Sequence, residues 1–156
     1  MIDRLLPSRI DNKYRGHRLA LWLFVPITLQ KFGVSLTHLL KADGGAQSIS
    51  TIPLDTYPPS AAQNIIGLFA RLGLEQLLLA SLLVLVFVRY RAMLPLMYAL
   101  IVTQYVGSRI VSDVKPLVLA GSSGARTPAL VIALLSVIGL VLSLIGRGYS
   151  NQPTTG

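Results

Sequence analysis

Four long apolar stretches, at 19–40, 61–88, 92–111 and 128–146, take up more than half of the chain and limit what it can fold into. A transmembrane helix needs about 20 mostly apolar residues to cross a hydrocarbon layer of about 30 Å. The expected fold is therefore all-α: a polytopic membrane protein built as a four-helix transmembrane bundle. A basic segment, 1–18, precedes the transmembrane domain 19–146, and a short tail, 147–156, follows it. Any ionised side chain inside the spans is costly and calls for a structural or functional reason. Three of the four spans contain one.

The composition agrees. Mean hydropathy is +0.64 and charged residues make up 13%, roughly half the usual fraction for a soluble domain. The length of 156 residues accommodates one compact bundle with short connections. The absence of cysteine excludes disulfides, thiolate metal sites and cysteine redox chemistry. The net charge of +8 does not point to nucleic acid, because Lys and Arg collect at the ends of the spans and form no basic stripe. It points to orientation instead. Arg4, Arg9, Lys13, Arg15, Arg18, Arg89, Arg91 and Arg147 fall on one side, against Lys41, Lys115 and Arg126 on the other. By the positive-inside rule both termini are cytoplasmic, in a bacterial-type inner membrane. The basic start and the apolar run 19–29 resemble a signal peptide, but Lys31 interrupts the run and no A-x-A site follows. The first span is read as a retained helix.

Along the chain, a short interfacial helix is expected near residues 2–6, and Tyr14 and Trp22 sit where amphipathic rings meet the inner interface. Pro26 predicts a kink in the first span. The first loop, 42–60, carries Gly44, Gly45, Pro53, Pro58 and Pro59, and reads as an ordered cap with a short strand at 49–52. The Arg-Tyr-Arg turn at 89–91 predicts that the second and third spans are antiparallel neighbours. The run Gly-Ser-Ser-Gly at 121–124 is a flexible turn, since it lacks the Lys-Ser/Thr ending of a phosphate loop. In the fourth span, Ala129, Ala133, Ser136, Gly139, Ser143 and Gly146 form a small-residue seam that allows close backbone approach. Packing inside the bundle is the default for this seam. A homo-oligomer or another membrane protein docked on the Ala133/Ser136/Gly139/Ser143 face is the sharper alternative.

Polar residues recur at matching depth in three spans. Thr28, Lys31, Ser35 and His38 share a face of the first; Asn64, Arg71 and Glu75 share one of the second; Tyr105, Arg109 and Asp113, with Gln104 one step around, mark the third. Arg71 and Glu75 stand at i,i+4 and are expected to pair. The expectation is an outward-facing polar pocket between the first three spans, with ligand-binding residues Lys31, His38, Arg71, Glu75, Gln104 and Arg109. Glu75 would neutralise Arg71 or Lys31 and leave positive charge for an anionic or strongly polar headgroup. A closed ion-pair network that only fixes helix register is the competing reading.

No stretch carries a motif that names a reaction. His17 and His38 are the only histidines, and 21 helical residues set them about 30 Å apart. The dispersed acidic residues rule out a dinuclear carboxylate site, so no metal and no catalytic residue is expected.

The second span, Ala70-Arg71-Leu72-Gly73-Leu74-Glu75-Gln76-Leu77-Leu78-Leu79, resembles the glutamate-bearing second helix of DoxX-like membrane proteins, and the four-span layout and basic turn at 89–91 are also similar. The glycines common after that glutamate are absent here, and the first loop is longer. The resemblance implies a four-helix inner-membrane protein linked to redox complexes through quinone. Three functional readings follow: a non-catalytic membrane subunit or binder of a small polar ligand or lipid; a quinone-linked accessory subunit of an oxidoreductase; and a small oligomeric proton-coupled transporter using Glu75. The bilayer is the partner common to all three.

Overall fold

The computed structural model describes residues 2–145. It contains α1 (Ile2–Leu5), α2 (Arg18–Leu40), α3 (Pro59–Arg89), α4 (Leu94–Val114) and α5 (Arg126–Leu144), with 3₁₀ turns at Leu54–Thr56 and Arg91–Met93. The four helices α2 to α5 are long and apolar enough to cross a bilayer. Helices suit that environment because each satisfies its own backbone polar groups. Residues 146–156 of the fourth seam and the tail, including Gly146 and Arg147, lie outside the described residues.

Local chemistry sets the helix ends. His17 holds an extended backbone and caps α2, its Nδ1 accepting from the Leu19 amide at 3.2 Å. Pro59 opens α3 and Pro95 sits in the first turn of α4, where a missing N–H costs nothing. Several serine and threonine hydroxyls inside the spans bond within their own helices. Thr28 donates to the Phe24 carbonyl at 2.8 Å and Ser136 to that of Ile132 at 2.7 Å.

α2 is the central element. It packs along α3 on one side and α5 on the other, and α5 in turn packs on α4. The expectation that the second and third spans pack side by side is corrected here: α3 and α4 follow one another in sequence but scarcely touch. The physical reason is a wedge from α2. The ring of Phe24 lies between Phe87 of α3 (6.0 Å, stacked) and Tyr98 of α4 (5.2 Å, edge-on). Tyr98 then donates its hydroxyl to the Ala20 carbonyl of α2 at 2.6 Å. Around these rings close Ile27, Leu83, Val86, Leu94, Met97, Ile101 and Ile132, forming the main core.

The small-residue seam of α5 points into this core. Ser136, Gly139 and Ser143 are buried, and a Cβ on Gly139 would collide with the Tyr98 ring. The seam therefore seats a tyrosine of the same chain and is not a free face for a second copy. A bulky ring needs a residue without a side chain opposite it, and Gly139 provides that.

Two polar caps close the bundle. At the arginine-rich end, the segment before α2 crosses the helix termini: the His17 amide donates to Leu142 O at 3.0 Å, the Ala92 amide to Asp11 O at 3.2 Å, and Arg4 Nη1 to Leu144 O at 2.7 Å. The last contact puts a cation on the negative end of α5. Tyr14 packs beneath this strap, and burial pushes its phenol up to about 12.

At the opposite end, the loop between α2 and α3 docks on the start of α3 through Ala46, Ile52 and Leu54 against Tyr57, Ile65, Ile66 and Phe69. No strand forms at 49–52, contrary to the sequence expectation. Gly44 and Gly45 adopt φ of 61° and 78°, and Asp43 accepts from the Gly45 and Ser48 amides, so the segment curls instead. Desolvation raises the Asp43 pKa, but these hydrogen bonds and the nearby Lys41 outweigh it and bring the carboxyl from 3.8 down to about 2. The loop is also stitched to the one before α5. Ala120 N donates to Thr51 O at 2.8 Å and Gly124 N to Ile49 O at 3.1 Å.

Candidate functional site

The six polar residues singled out from sequence separate into four places. Lys31 is buried, with 6% of its surface exposed, near the middle of α2. Its ammonium donates to Gln104 Oε1 at 2.7 Å, near the middle of α4, and lies 4.5 Å from the centre of the Tyr105 ring. An ammonium has three donors, so this neutral acceptor and π face satisfy it in part. No carboxylate among the described residues forms an ion pair with it. Gln30, one step around α2 and not marked by the sequence reading, holds its Oε1 buried without a donor.

His38 is a separate structural site. Its Nδ1–H donates to the Gly44 carbonyl at 2.6 Å, and its ring meets Phe69 edge-on at 5.3 Å. Gly73 of α3 passes directly over it: a Cβ there would lie 2.8 Å from His38 Cβ and 3.0 Å from Ser35 O. The histidine therefore fastens the curled loop to the α2–α3 contact.

Arg71 and Glu75 do not join Lys31. Both are exposed on the outer side of α3, and the ion pairs among the described residues are Arg15–Asp11 and Arg109–Asp113. The pocket expected between the first three spans is thus not assembled. The reason lies in the α2–α3 contact. Gly73, Ala80, Leu83 and Val86 are the buried residues of α3, and a helix that turns these positions inward turns 71 and 75 outward. Charges at such depth are expensive where they face acyl chains, about 2.5–3.5 kcal/mol for Arg, Lys or Asp at a helix centre.

Arg109 lies in a different setting. It pairs with Asp113 at 3.0 Å, with both side chains more than half exposed, on the final turns of α4. It borders an open groove of about 590 Å³ between α4 and α5. Ser108, Ser112 and Arg126 supply the remaining polar lining, and Val106, Ile110, Ala129, Leu130 and Ala133 the apolar walls. Tyr105 belongs to both this groove and the Lys31 site. Arg126 was not marked as a site residue from sequence, because only the packing of α5 on α4 brings it to the same groove as Arg109. Adjacency of two helix ends has no signature in residue spacing.

A smaller groove of about 380 Å³ opens at the arginine-rich end, lined by Arg18, Leu21, Trp22, Phe87 and Arg91. Arg91 is held there by Nε donating to Phe87 O at 2.8 Å and by its position over the Phe87 ring. No group of three or more His, Cys, Asp or Glu side chains suited to a metal ion occurs among the described residues. In comparisons with known proteins, no family model, no curated protein and no solved structure matches this chain.

Proposed function

We propose that the protein is a non-catalytic, multi-pass inner-membrane protein that binds an anionic amphiphile in the groove between α4 and α5. The observation that carries this reading is the lining of that groove. Two arginines and two serines gather around it, while its walls are aliphatic. Arg109 stands five residues before the end of α4, about 7.5 Å along the axis, and Arg126 begins α5. Both are at a depth suited to a headgroup, with room for an acyl chain beside Val106, Leu130 and Ala133. The exposed Arg109–Asp113 pair is weak enough to be exchanged for a ligand phosphate or carboxylate. Tyr105, which lines the groove, carries the Lys31 ammonium 4.5 Å from its ring centre.

The orientation follows the distribution of charge. The strap carrying Arg4, Arg9, Lys13, Arg15 and Arg18 lies against the same end of the bundle as Arg89 and Arg91. That end is read as cytoplasmic, and the amphiphile groove as facing the outer leaflet.

Native mass spectrometry of delipidated protein tests the reading, with phosphatidylglycerol, phosphatidylcholine and a quinone offered in turn. Two arginines at about 1 kcal/mol each set an expected preference of about thirtyfold for the anionic lipid. Arg109→Gln with Arg126→Gln removes most of that preference. Equal retention of both lipids, or a preference untouched by the double substitution, refutes it. Selective retention of quinone would favour the accessory-subunit reading.

A further inference from the structure

The outer face of α3 carries one Arg and one Glu, a helical turn apart, that nothing among the described residues covers. Counting from Pro59 and Arg89, Glu75 lies 16 and 14 residues from the two ends of α3, about 24 and 21 Å along the axis. Its short side chain cannot reach water from there. Arg71, about 6 Å nearer one end, reaches the interface only in part.

These two residues belong to a regular stripe. Asn64, Leu68, Arg71, Glu75, Leu78, Leu82 and Leu85 follow one another at alternating intervals of four and three and are all exposed. That is the period of a left-handed helix–helix seam, with interdigitating side chains at each a and d position. The residues buried against α2 lie on another side of the helix. The stripe is therefore a second packing face, and α4, the helix next in sequence, does not use it.

We infer that α3 pairs with α3 of a second copy of this chain, Arg71 of each copy bridging to Glu75 of the other within the membrane. A two-fold axis along the membrane normal makes the stripe face its own copy at equal depth, as a closed symmetric dimer requires. Each copy contributes one positive and one negative charge, so the four together are neutral. The offset of one turn lets each guanidinium reach across toward the carboxylate of the other chain. Asn64 adds a polar pair one end further along, and Leu68, Leu78, Leu82 and Leu85 supply the apolar layers. The self-complementary charge pattern is what favours a second copy over an unrelated helix.

The cysteine-free sequence makes the test direct. Leu78→Cys on this stripe and Leu134→Cys on the exposed face of α5 are each purified, reconstituted into vesicles containing no other protein, and mildly oxidised. Leu78→Cys is expected to give at least fivefold more disulfide-linked dimer than Leu134→Cys. In the Leu78→Cys background, Arg71→Glu or Glu75→Arg alone lowers the yield at least fivefold, and the two together restore it to within twofold. Should a reversed charge prevent folding, Glu75→Gln, which keeps the side chain's shape, and Arg71→Gln, which is shorter, each remove the charge; they are read in the same way and lower the yield as well. Equal crosslinking at the two sites, no dimer in vesicles of the pure protein, or charge variants that leave the yield unchanged would overturn the pairing.

Discussion

Lys31 and Glu75 stand near the middles of neighbouring helices and meet the same problem, a charge placed where the solvent is hydrocarbon. The chain resolves one and leaves the other open. Lys31 turns toward α4, where Gln104 and the Tyr105 ring receive it. Glu75 turns away from every other helix, with Arg71 one turn off and no ion pair formed among the described residues. The difference arises from what surrounds each helix. α2 sits at the centre and touches α3, α5 and, through its rings, α4, so a polar residue on its inner face finds an acceptor. α3 packs mainly on α2, and one contact leaves most of its circumference bare. A peripheral helix with internal charge is incomplete in a way that a central one is not.

The most severe way to break the contrast is to disturb what keeps α2 central. Gly139→Leu drives a side chain into the Tyr98 ring and through it against Phe24 and Ala20. Overpacking of this kind costs about 3 kcal/mol or more. The expected result is a large loss of folded protein in a thermal ramp in detergent.

A sharper probe separates the charge of Lys31 from its packing. Gln104→Leu strands the ammonium and is expected to cost about 1.5–3 kcal/mol, the range for a hydrogen bond to a charged group. Lys31→Met removes the charge at similar volume and is expected to be neutral or stabilising. Combining the two should recover most of the loss seen with Gln104→Leu alone. Additive effects in that cycle would show that the two side chains are not coupled.

Gly73→Ala tests the other close contact, where His38 and the Ser35 carbonyl leave no room for a Cβ. The expected cost is about 1–2 kcal/mol, within the range for overpacking at a tight helix crossing. It should be accompanied by faster amide exchange in the loop that His38 holds. By comparison, Glu75→Gln in monomeric detergent-solubilised protein should change thermal stability by less than about 0.5 kcal/mol, as for an unpartnered surface position.

The smallest expected effect lies at the cap opposite the arginine-rich end. Asp43 titrates near 2 when folded against an ordinary 3.8, so its contribution is present above the ordinary value and lost as pH falls through the folded one. Between pH 4 and pH 2, protection of the Gly45 and Ser48 amides against hydrogen exchange should decline. In Asp43→Asn the same amides should already be weakly protected at neutral pH. An unchanged exchange profile would remove Asp43 from the account of the curled loop.

Much of the fold was legible in the residues. Apolar runs of about 20 residues produced four helices long and apolar enough to cross a bilayer, because a helix satisfies its backbone polar groups within the run itself. The periodicity within each helix was legible too. Thr28, Lys31, Ser35 and His38 do share the buried face of α2, and Ser136, Gly139 and Ser143 that of α5. Such spacing is a property of one helix and can be counted.

What the counting could not supply was the relation between helices. Arg71 and Glu75 were expected to meet Lys31 because they match it in depth, yet depth says nothing about azimuth. The direction in which α3 turns follows from Gly73 closing over His38, a contact between residues 35 positions apart. The separation of α3 from α4 follows from Phe24 standing between Phe87 and Tyr98, although the short link had suggested direct packing. By itself, then, the sequence determined the number, length and polar stripes of the helices, since these depend on local periodicity and transfer free energy. Tertiary structure alone decided which stripes meet, because that depends on the shapes of a few side chains brought together from distant parts of the chain.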